Sequence, residues 1–343
     1  MSSKWRNLFL SIGIIAIVVM VLTFDMQWEE LLKNLKRAGY WFPLIMLLWV
    51  GIYLLNTLSW YIIIHDDKQN KVPFWKLYKY SISGFALNYA TPVGLMGGGP
   101  YRIMELTPYL GAKKATSKVI LYVMTHIFSH FWFWLLSIPL FLILYPVDAA
   151  MGSFLIAAAI FCSLAIYFFL KGYKNGMAER TLKLCQKIPF IKKWAIRFSQ
   201  EKAESIHEID QQIAELNNQH RGTFIGALLL ELLARITNCL EIWIILGILA
   251  PNISFFDCLL IQSFTSLFAN FFFFSPMQLG AREGGFALVM GQLALRSSLG
   301  IYLGLIVRVR ELCWIAIGIT LMRFGNKISK EKKEESLITE DIK

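Results

Sequence analysis

Residues 88–102 read NYATPVGLMGGGPYR and interrupt an apolar stretch that begins at residue 78. The proline and the glycine cluster do not continue the hydrogen-bond ladder of a helix, so the chain turns here. A second interruption, NFFFFSPMQLGAREGG at 270–285, ends an apolar stretch that begins at residue 256. Irregular backbone at membrane depth is tolerated only where protein or a water-filled cavity surrounds it. The two stretches therefore predict two re-entrant helix pairs.

The composition of the whole chain places both interruptions in a membrane. Of 343 residues, 56% are hydrophobic and only 17% are charged, which excludes a large soluble catalytic domain. Apolar runs of about 17 to 25 residues cross a hydrocarbon layer as helices. The sequence contains eight apolar segments of this kind, at 8–24, 41–64, 78–95, 116–145, 152–170, 223–249, 256–279 and 299–322, and a short apolar stretch at 284–295. The predicted fold class is an all-α polytopic membrane protein.

Basic residues predict the orientation of the chain. The net charge of +11 lies mainly in loops beside apolar segments, a pattern typical of contact with lipid rather than nucleic acid. An amphipathic insert at 171–222 holds ten basic and six acidic residues, so we expect it in the cytoplasm. The same rule places the N-terminus and a charged tail, 326–343, inside, with 1–325 forming one transmembrane domain. No small residues follow the first segment, so we expect an uncleaved span rather than a signal peptide.

The loops on both sides of segment 78–95 are basic, with Lys68 and Lys71 before it and Lys113 and Lys114 after it. A segment that dips into the membrane and returns leaves both loops in the cytoplasm. Segment 256–279 has few basic residues beside it and would enter from the opposite side. Six full spans and two re-entrant pairs follow, arranged as inverted repeats over 41–145 and 223–322. An arrangement of eight complete spans also places both termini on one side and stays open.

Charged and amide side chains flank both interruptions. A guanidinium holds a phosphate or carboxylate through two hydrogen bonds, and the half-helix after a break presents free N–H groups. The candidate substrate-binding residues at the breaks are Asn88, Arg102, Glu105, Asn270, Arg282 and Glu283. The broken-helix loops themselves contain Pro92, Gly94, Gly97, Gly98, Pro276, Gly280 and Gly284. The alternative is an internal ion pair that holds each broken helix together.

Six further charges lie inside the later apolar segments, namely Glu231, Arg235, Glu241, Arg308, Arg310 and Glu311. Charges at this depth are costly and face a partner or a wet cavity. The three acids balance the three bases, and Glu231 with Arg235, or Arg308 with Glu311, can pair within one helix. A structural network and a substrate path are both consistent with this pattern. We include Glu231, Arg235 and Arg308 among the candidate substrate-binding residues.

Signals for metal or nucleotide chemistry are weak. His126 and His130 lie four residues apart, a spacing that can hold a metal, but no acidic residue or cysteine lies nearby on that face. Asp66 and Asp67 follow the second segment and suit a membrane glycosyltransferase, although adjacent acids at a membrane boundary are usually solvated. No nucleotide-binding or zinc signature occurs in the sequence. We therefore predict no metal, no cofactor and no ATP hydrolysis.

The two interruptions together resemble a known family. Pro92-x-Gly94-x-x-Gly97-Gly98 before Arg102, and Leu279-Gly280-Ala281-Arg282-Glu283-Gly284, are similar to the flippase-like membrane region of the lysylphosphatidylglycerol synthases and their stand-alone relatives. In that family, full-length enzymes attach an amino acid to a phospholipid through a C-terminal domain, and the membrane region is implicated in moving the product between leaflets. About twenty residues follow the last segment here, so the resemblance implies the membrane module alone, in the bacterial cytoplasmic membrane.

Three functions are consistent with this sequence. The first is translocation of a phospholipid or lipid-linked headgroup through a polar cavity lined by Arg102, Arg282, Arg308 and Glu231. The second is a membrane-embedded transferase for aminoacyl or glycosyl groups, with Glu105, Glu283 or the Asp66 and Asp67 pair as acid, base or metal ligand. The third is a scaffold held by charge pairs. The expected partner is a membrane lipid and not nucleic acid, and a homo-oligomer or a separate lipid-modifying enzyme is left open.

Overall fold

The computed structural model describes residues 41–66, 72–90, 97–175, 192–201, 221–248, 252–271, 281–293 and 297–323, and the single positions 39, 183, 186, 187, 203, 207, 210, 211 and 295. Its regular secondary structure, within these ranges, is entirely helical. The helices are α1 (Trp41–Ile64), α2 (Phe74–Ala90), α3 (Gly98–Leu110), α4 (Ala112–Leu144), α5 (Ala149–Asn175), α6 (Lys192–Glu201), α7 (Arg221–Gly247), α8 (Phe255–Phe271), α9 (Ala281–Gln292) and α10 (Ser297–Arg323).

The predicted segments correspond closely to these helices. Segment 41–64 is confirmed residue for residue as α1. In segments 78–95 and 256–279 the described helices run to Ala90 and Phe271, and the remainder of each segment lies outside the described residues. The predicted segment 8–24 lies outside the described residues.

Three described helices are long and apolar enough to cross a membrane, namely α1, α4 and the Ala149–Lys171 part of α5. α7 and α10 have 27 residues each, which corresponds to about 40 Å at 1.5 Å per residue. Their length suits a span, but they carry the six intramembrane charges of the sequence. Five of these charged residues are at most 2% exposed, namely Glu231, Glu241, Arg308, Arg310 and Glu311. α7 and α10 therefore turn their charges toward the interior.

α1 packs antiparallel to α7. Asp66 beyond the end of α1 accepts a hydrogen bond from Thr223 near the start of α7, over 2.8 Å. At the other end, Trp49 donates to Glu241 over 2.9 Å. By contrast, α1 runs parallel to α10, because the ring of Tyr53 contacts that of Trp314, with 4.8 Å between their centroids, and Trp49 lies against Arg310. α1 thus contacts two helices, α7 and α10, that run in opposite directions.

α4 runs parallel to α7, because His126 and Ser129 of α4 contact Glu231 and Arg235 of α7 in the same order. α2 packs closely on α10, where Ser83 donates to the carbonyl of Gly318 over 2.9 Å. A methyl group on Gly318 would lie 2.6 Å from Cβ of Ala86. Small residues of this kind let two helix backbones approach in a membrane protein.

α3 is joined to α4 by one residue, Gly111, whose φ of 76° lies in the left-handed region. Its N–H donates to the carbonyl of Thr107 over 2.9 Å, which closes α3. Glycine adopts this conformation without the steric cost that a side chain would add. The sharp turn brings the half-helix after the first break back against α4.

Candidate functional site

A polar cavity of about 310 Å³ lies at the centre of the bundle between helices of both halves of the chain. Its charged lining residues are Arg102, Glu231, Arg235, Glu241, Arg282, Arg310 and Glu311. Its neutral polar lining includes Asn56, Ser81, Asn88, Asn238, Gln262, Thr265, Ser266 and Asn270, with His126 and His130. A separate groove on the outer side of α1 and α7 is lined by leucines and has almost no polar wall.

The two predicted breaks contribute to the same cavity. Six of the nine predicted substrate-binding residues line it, namely Asn88, Arg102, Glu231, Arg235, Asn270 and Arg282. Arg308 is not in its lining but pairs with Glu311, and Glu105 is buried against Tyr80. Nothing is described for the side chain of Glu283 or for Pro92, Gly94, Pro276 and Gly280, whereas Gly97 is buried and Gly284 is exposed. That the lining residues bind a substrate stays a prediction.

Asn88 has a structural role at the first break. Its Oδ1 accepts a hydrogen bond from the backbone N–H of Gly98, over 2.8 Å, and so satisfies one of the free N–H groups at the start of α3. A Cβ atom on Gly98 would lie 2.2 Å from the carbonyl oxygen of Gly84 on α2. Gly98 is therefore required by a close approach of two backbones, and α2 and α3 remain together although the helix is broken.

Arg102 is a buried cation without a carboxylate partner among the described residues. It is 6% exposed, its Nη2 donates to the carbonyl of Ser81 over 3.3 Å, and its Nε has no hydrogen-bond partner. The guanidinium lies 5.6 Å from the ring centroid of Trp60 and 5.3 Å from that of Tyr122. Aromatic faces compensate a cation only in part. An unpaired charge at this burial calls for an anion.

Arg282, the arginine after the second break, is compensated internally. It pairs with Glu311 and its Nη2 donates to the hydroxyl of Tyr89 over 3.0 Å. Glu311 also pairs with Arg308 over 3.1 Å, which is the i, i+3 pair expected from the sequence. The internal ion pair proposed as an alternative for both breaks is thus observed for Arg282, whereas none is observed for Arg102 within the part of the chain that the structure describes.

Glu241 and Arg310 form a second buried pair across α7 and α10. Nε and Nη2 of Arg310 donate to the two carboxylate oxygens over 2.8 and 3.1 Å. Trp49 donates to the same carboxylate, and the guanidinium lies 3.8 Å from the centroid of its ring. A bidentate pair supported by an aromatic ring is a strongly directional contact. This ion pair joins α7, which runs antiparallel to α1, to α10, which runs parallel to α1.

Glu231 does not pair with Arg235 as expected from their spacing. Its Oε2 lies 2.7 Å from Nδ1 of His126 on α4. Arg235 instead donates to the hydroxyl of Ser129 and to the carbonyl of His126, both over 2.7 Å. The pair expected within α7 does not form, because α4 presents polar atoms to the side chains of both Glu231 and Arg235. No acid was expected near His126 on its own helix face, and the acid that contacts it, Glu231, comes from α7 instead.

The cavity wall carries an excess of positive charge. Four arginines and three glutamates line it, which leaves one positive charge. Among the described residues, no group of three or more side chains suited to a metal occurs. Eight buried side-chain atoms in the lining have no hydrogen-bond partner among the described residues, namely Tyr53 Oη, Ser81 Oγ, Arg102 Nε, His130 Nδ1, Glu231 Oε1, Asn238 Oδ1, Thr265 Oγ1 and Arg310 Nη1. Buried polar atoms are normally satisfied, so water or a ligand belongs in this space.

Sequence reasoning missed several lining residues, among them Asn56, Asn238 and Gln262. Each of these residues is an amide inside an otherwise apolar segment. Such an amide indicates a polar site less strongly than a charged residue does, because an amide costs less to bury. The order of the chain gave no indication that they face one space.

Comparison with known proteins places the chain in a broader context. The sequence model described as Lysylphosphatidylglycerol synthase TM region matches residues 8–318, which include both breaks and the whole cavity lining. The comparisons with curated proteins and with solved structures gave no match.

Proposed function

Because the chain belongs to the lysylphosphatidylglycerol synthase TM region family, we propose that it binds a membrane lipid and carries the lipid's headgroup between leaflets through the central cavity. The family is that of a membrane protein linked to lipid modification or flipping. Translocation requires a polar passage for the headgroup inside an apolar bundle. The cavity is a space of this kind, since it is polar within and surrounded by helices that present leucines outward.

The observation that carries the proposal is Arg102, a buried guanidinium with no carboxylate partner among the described residues. A phosphate on a lipid headgroup supplies the missing negative charge and accepts hydrogen bonds from the guanidinium in the geometry that arginine favours. The other arginines of the lining differ in their contacts. Arg282 and Arg310 already pair with glutamates, and Arg235 donates to oxygens of α4. Arg102 is therefore the first contact expected for an anionic headgroup.

An inverted repeat of the two halves is part of the proposal. α1 to α4 have 24, 17, 13 and 33 residues, and α7 to α10 have 27, 17, 12 and 27. The first helices of the two series are antiparallel to each other, and each runs parallel to the last helix of the other series. Two related halves of opposite direction around a central site allow access to alternate between the two sides.

The proposed arrangement consists of six full spans and two re-entrant pairs, α2 with α3 and α8 with α9. α2, α3, α8 and α9 have 17 residues or fewer, and each pair flanks one sequence break. At 1.5 Å per residue, 12 or 13 residues extend only about 20 Å, less than a hydrocarbon layer about 30 Å thick. The proposal includes that the insert and both termini lie in the cytoplasm of a bacterial cell, which the basic residues in these parts of the sequence support.

A lipid-headgroup transferase is the second candidate, supported by the contact between His126 and Glu231 in the cavity. A carboxylate that orients an imidazole is a common arrangement in general-base catalysis. The acids that the sequence offered for this role are less suitable. Glu105 does not line the cavity, and Asp66 accepts a hydrogen bond from Thr223 at the end of α1. Translocation accounts for Arg102 directly, so it is the preferred function.

Reconstitution in liposomes tests translocation. Labelled anionic phospholipid is followed by loss of outer-leaflet signal to a membrane-impermeant quencher, for the wild type, Arg102→Ala and Lys171→Ala. We expect the wild type to equilibrate the label, Arg102→Ala to lose at least about 90% of the rate, and Lys171→Ala to match the wild type. Lys171 is an exposed basic residue outside the cavity, so it controls for loss of one positive charge. A correctly folded Arg102→Ala protein that works at the wild-type rate would overturn the proposal.

A further inference from the structure

A histidine and a glutamate are in direct contact in the wall of the cavity. Oε2 of Glu231 on α7 lies 2.7 Å from Nδ1 of His126 on α4. The second carboxylate oxygen, Oε1, is buried and has no hydrogen-bond partner among the described residues. We call His126 and Glu231 the histidine–glutamate pair. Acid and histidine side chains at membrane depth commonly carry protons in pumps and transporters, so this pair has the chemistry of a proton site.

Arg235, the nearest arginine to Glu231 along α7, makes its hydrogen bonds elsewhere. Its Nε donates to the hydroxyl of Ser129 and its Nη2 to the carbonyl of His126, both over 2.7 Å. The hydroxyl of Ser129 donates to the same carbonyl, also over 2.7 Å. Arg235 therefore holds the backbone of α4, and the imidazole of His126 remains the direct partner of the carboxylate. The pair is not part of an arginine–carboxylate ion pair of the kind that Arg310 and Glu241 form.

The imidazole is the part of the pair that water reaches. Both residues line the cavity, but the side chain of His126 is 40% exposed and that of Glu231 only 1%. An ionised carboxylate accepts the Nδ1–H of the ring, which leaves Nε2 as the nitrogen that takes a further proton. That proton comes from water in the cavity, and a new N–H bond forms at Nε2. The product is an imidazolium that donates to a carboxylate, and the pair changes from one negative charge to none.

The charged groups that face the pair are cations. Arg235 lies beside the pair on α7. On α3, the guanidinium of Arg102 lies 5.3 Å from the ring centroid of Tyr122. The ring centroids of Tyr122 and His130, both on α4, lie 6.3 and 5.6 Å from that of His126. The described charges on the other helices packed against α4 and α7 make their contacts elsewhere, namely Asp66 with Thr223, Glu105 with Tyr80, Lys171 with Tyr167, Asp257 with Tyr145, and the three described charges of α10 with carboxylates or arginines. An anion at Arg102 therefore adds negative charge close to the pair.

Resting on the proposed function, we propose that the histidine–glutamate pair takes up one proton when an anionic headgroup binds at Arg102, so that proton and headgroup cross together. Arg102, Arg235 and the unprotonated pair together carry one positive charge. A phosphodiester cancels this charge, and the added proton restores it. The other charged residues of the lining pair with each other, Arg310 with Glu241 and Arg282 with Glu311. The lipid anion thus moves with no net charge, and a membrane potential neither drives nor opposes it.

Proton uptake by the wild-type protein tests the proposal directly. The purified, full-length protein in weakly buffered detergent solution with a pH-indicator dye is titrated with phosphatidylmethanol, whose phosphodiester keeps one negative charge between pH 6 and 8. We expect about 0.5 to 1 proton to be taken up per bound lipid at pH 7, and binding about tenfold tighter at pH 6 than at pH 8, because linkage between two ligands is reciprocal. Zwitterionic phosphatidylcholine should cause no uptake.

Two variants assign the proton to the pair. His126→Asn keeps an N–H for Glu231 but has no second nitrogen to protonate, so it should bind the lipid without proton uptake and equally well at pH 6 and 8. Glu231→Gln imitates the charge of the protonated pair, so it should bind at pH 8 about tenfold more tightly than the wild type does. His65→Asn is the matched control, because His65 is outside the cavity lining and its Nδ1 contacts the carbonyl of Tyr61 on its own helix. It should keep the wild-type uptake.

The results also separate this inference from the proposed function. Lipid binding by the wild type that is lost in Arg102→Ala, but occurs without proton uptake and equally at pH 6 and 8, would overturn the inference and leave the proposed function intact. Uptake that persists in folded His126→Asn would assign the proton to another group and so overturn the inference as well. Absence of any binding that depends on Arg102 would overturn the proposed function, and the inference with it.

Discussion

Oδ1 of Asn88 accepts a hydrogen bond from the backbone N–H of Gly98, over 2.8 Å across the first break of the helix pair. The side chain of a residue in α2 therefore caps the start of α3, although the position of Asn88 beside a glycine-rich loop had indicated a substrate contact. It lines the cavity as well, so its position affects the shape of the space in which a headgroup is expected.

Substitution of Gly98 tests this close approach. In Gly98→Ala the new methyl group would lie 2.2 Å from the carbonyl oxygen of Gly84, so α3 must move away from α2. We expect the variant to lose about 1–3 kcal/mol of stability, as overpacked sites do. Gly99→Ala is the control, because a Cβ there meets no atom within 4 Å. Thermal unfolding in detergent measures both, and equal melting temperatures would contradict the close approach.

Removal of the charge on Arg102 should separate stability from binding. Arg102→Met keeps the apolar part of the side chain and removes an unpaired buried cation, so we expect stability to rise by about 1 kcal/mol while anionic lipid binding falls. Arg310→Met, by contrast, leaves Glu241 buried without its bidentate partner and should cost about 3–5 kcal/mol. Unfolding and lipid retention are measured on both proteins. A loss of stability in Arg102→Met as large as in Arg310→Met would indicate a carboxylate partner for Arg102.

Exchange of Glu231 and Arg235 should not be tolerated. Arg235 donates hydrogen bonds to Ser129 and to the carbonyl of His126, and a glutamate at 235 cannot donate to a carbonyl. The exchange would also remove the acid that contacts His126. We expect Glu231→Arg with Arg235→Glu to lose about 3 kcal/mol or more, since a buried network is broken. A double variant with the melting temperature of the wild type would support the pairing within α7 that the spacing suggested.

Cysteine labelling distinguishes re-entrant pairs from full spans. With re-entrant pairs, the turn between α3 and α4 faces the cytoplasm, so Lys113→Cys reacts only with a reagent that enters the cell. With eight complete spans, the same position faces outward and reacts with an impermeant reagent. Lys113 is exposed, which makes it a suitable reporter. Both arrangements place the tail inside, so Ser336→Cys in a background without the native cysteines is the control, and external labelling of Lys113→Cys would overturn the re-entrant arrangement.

The helices themselves could be predicted from the sequence to a large degree. Segment 41–64 matches α1, and the two Pro and Gly clusters fall where α2 and α8 end. The pair between Arg308 and Glu311 was also predictable, because both residues lie on one turn of one helix. These features depend on contacts between residues near each other in the chain, and hydrophobic length and helix breakers report such contacts directly.

The partners of the buried charges were decided by the tertiary structure. Glu231 contacts His126, 105 residues away, and Arg310 contacts Glu241, 69 residues away. The spacing within α7 favoured a different pair, and no local pattern distinguishes an arginine that meets a carboxylate from one that does not. Helix packing places α4 beside α7 and leaves Arg102 beside two aromatic rings that stack on each other.

The sequence by itself thus determined that the chain is helical and apolar, where two of its helices break, and which charges lie among the apolar segments. Only the tertiary structure decided that residues beside both breaks line one cavity, and that Arg282 pairs with a glutamate whereas Arg102 meets no carboxylate among the described residues. The physical reason is the range of the interactions. Burial and helix breaking act on neighbouring residues, whereas the charge balance of a cavity is a sum over side chains that the fold brings together from eight helices.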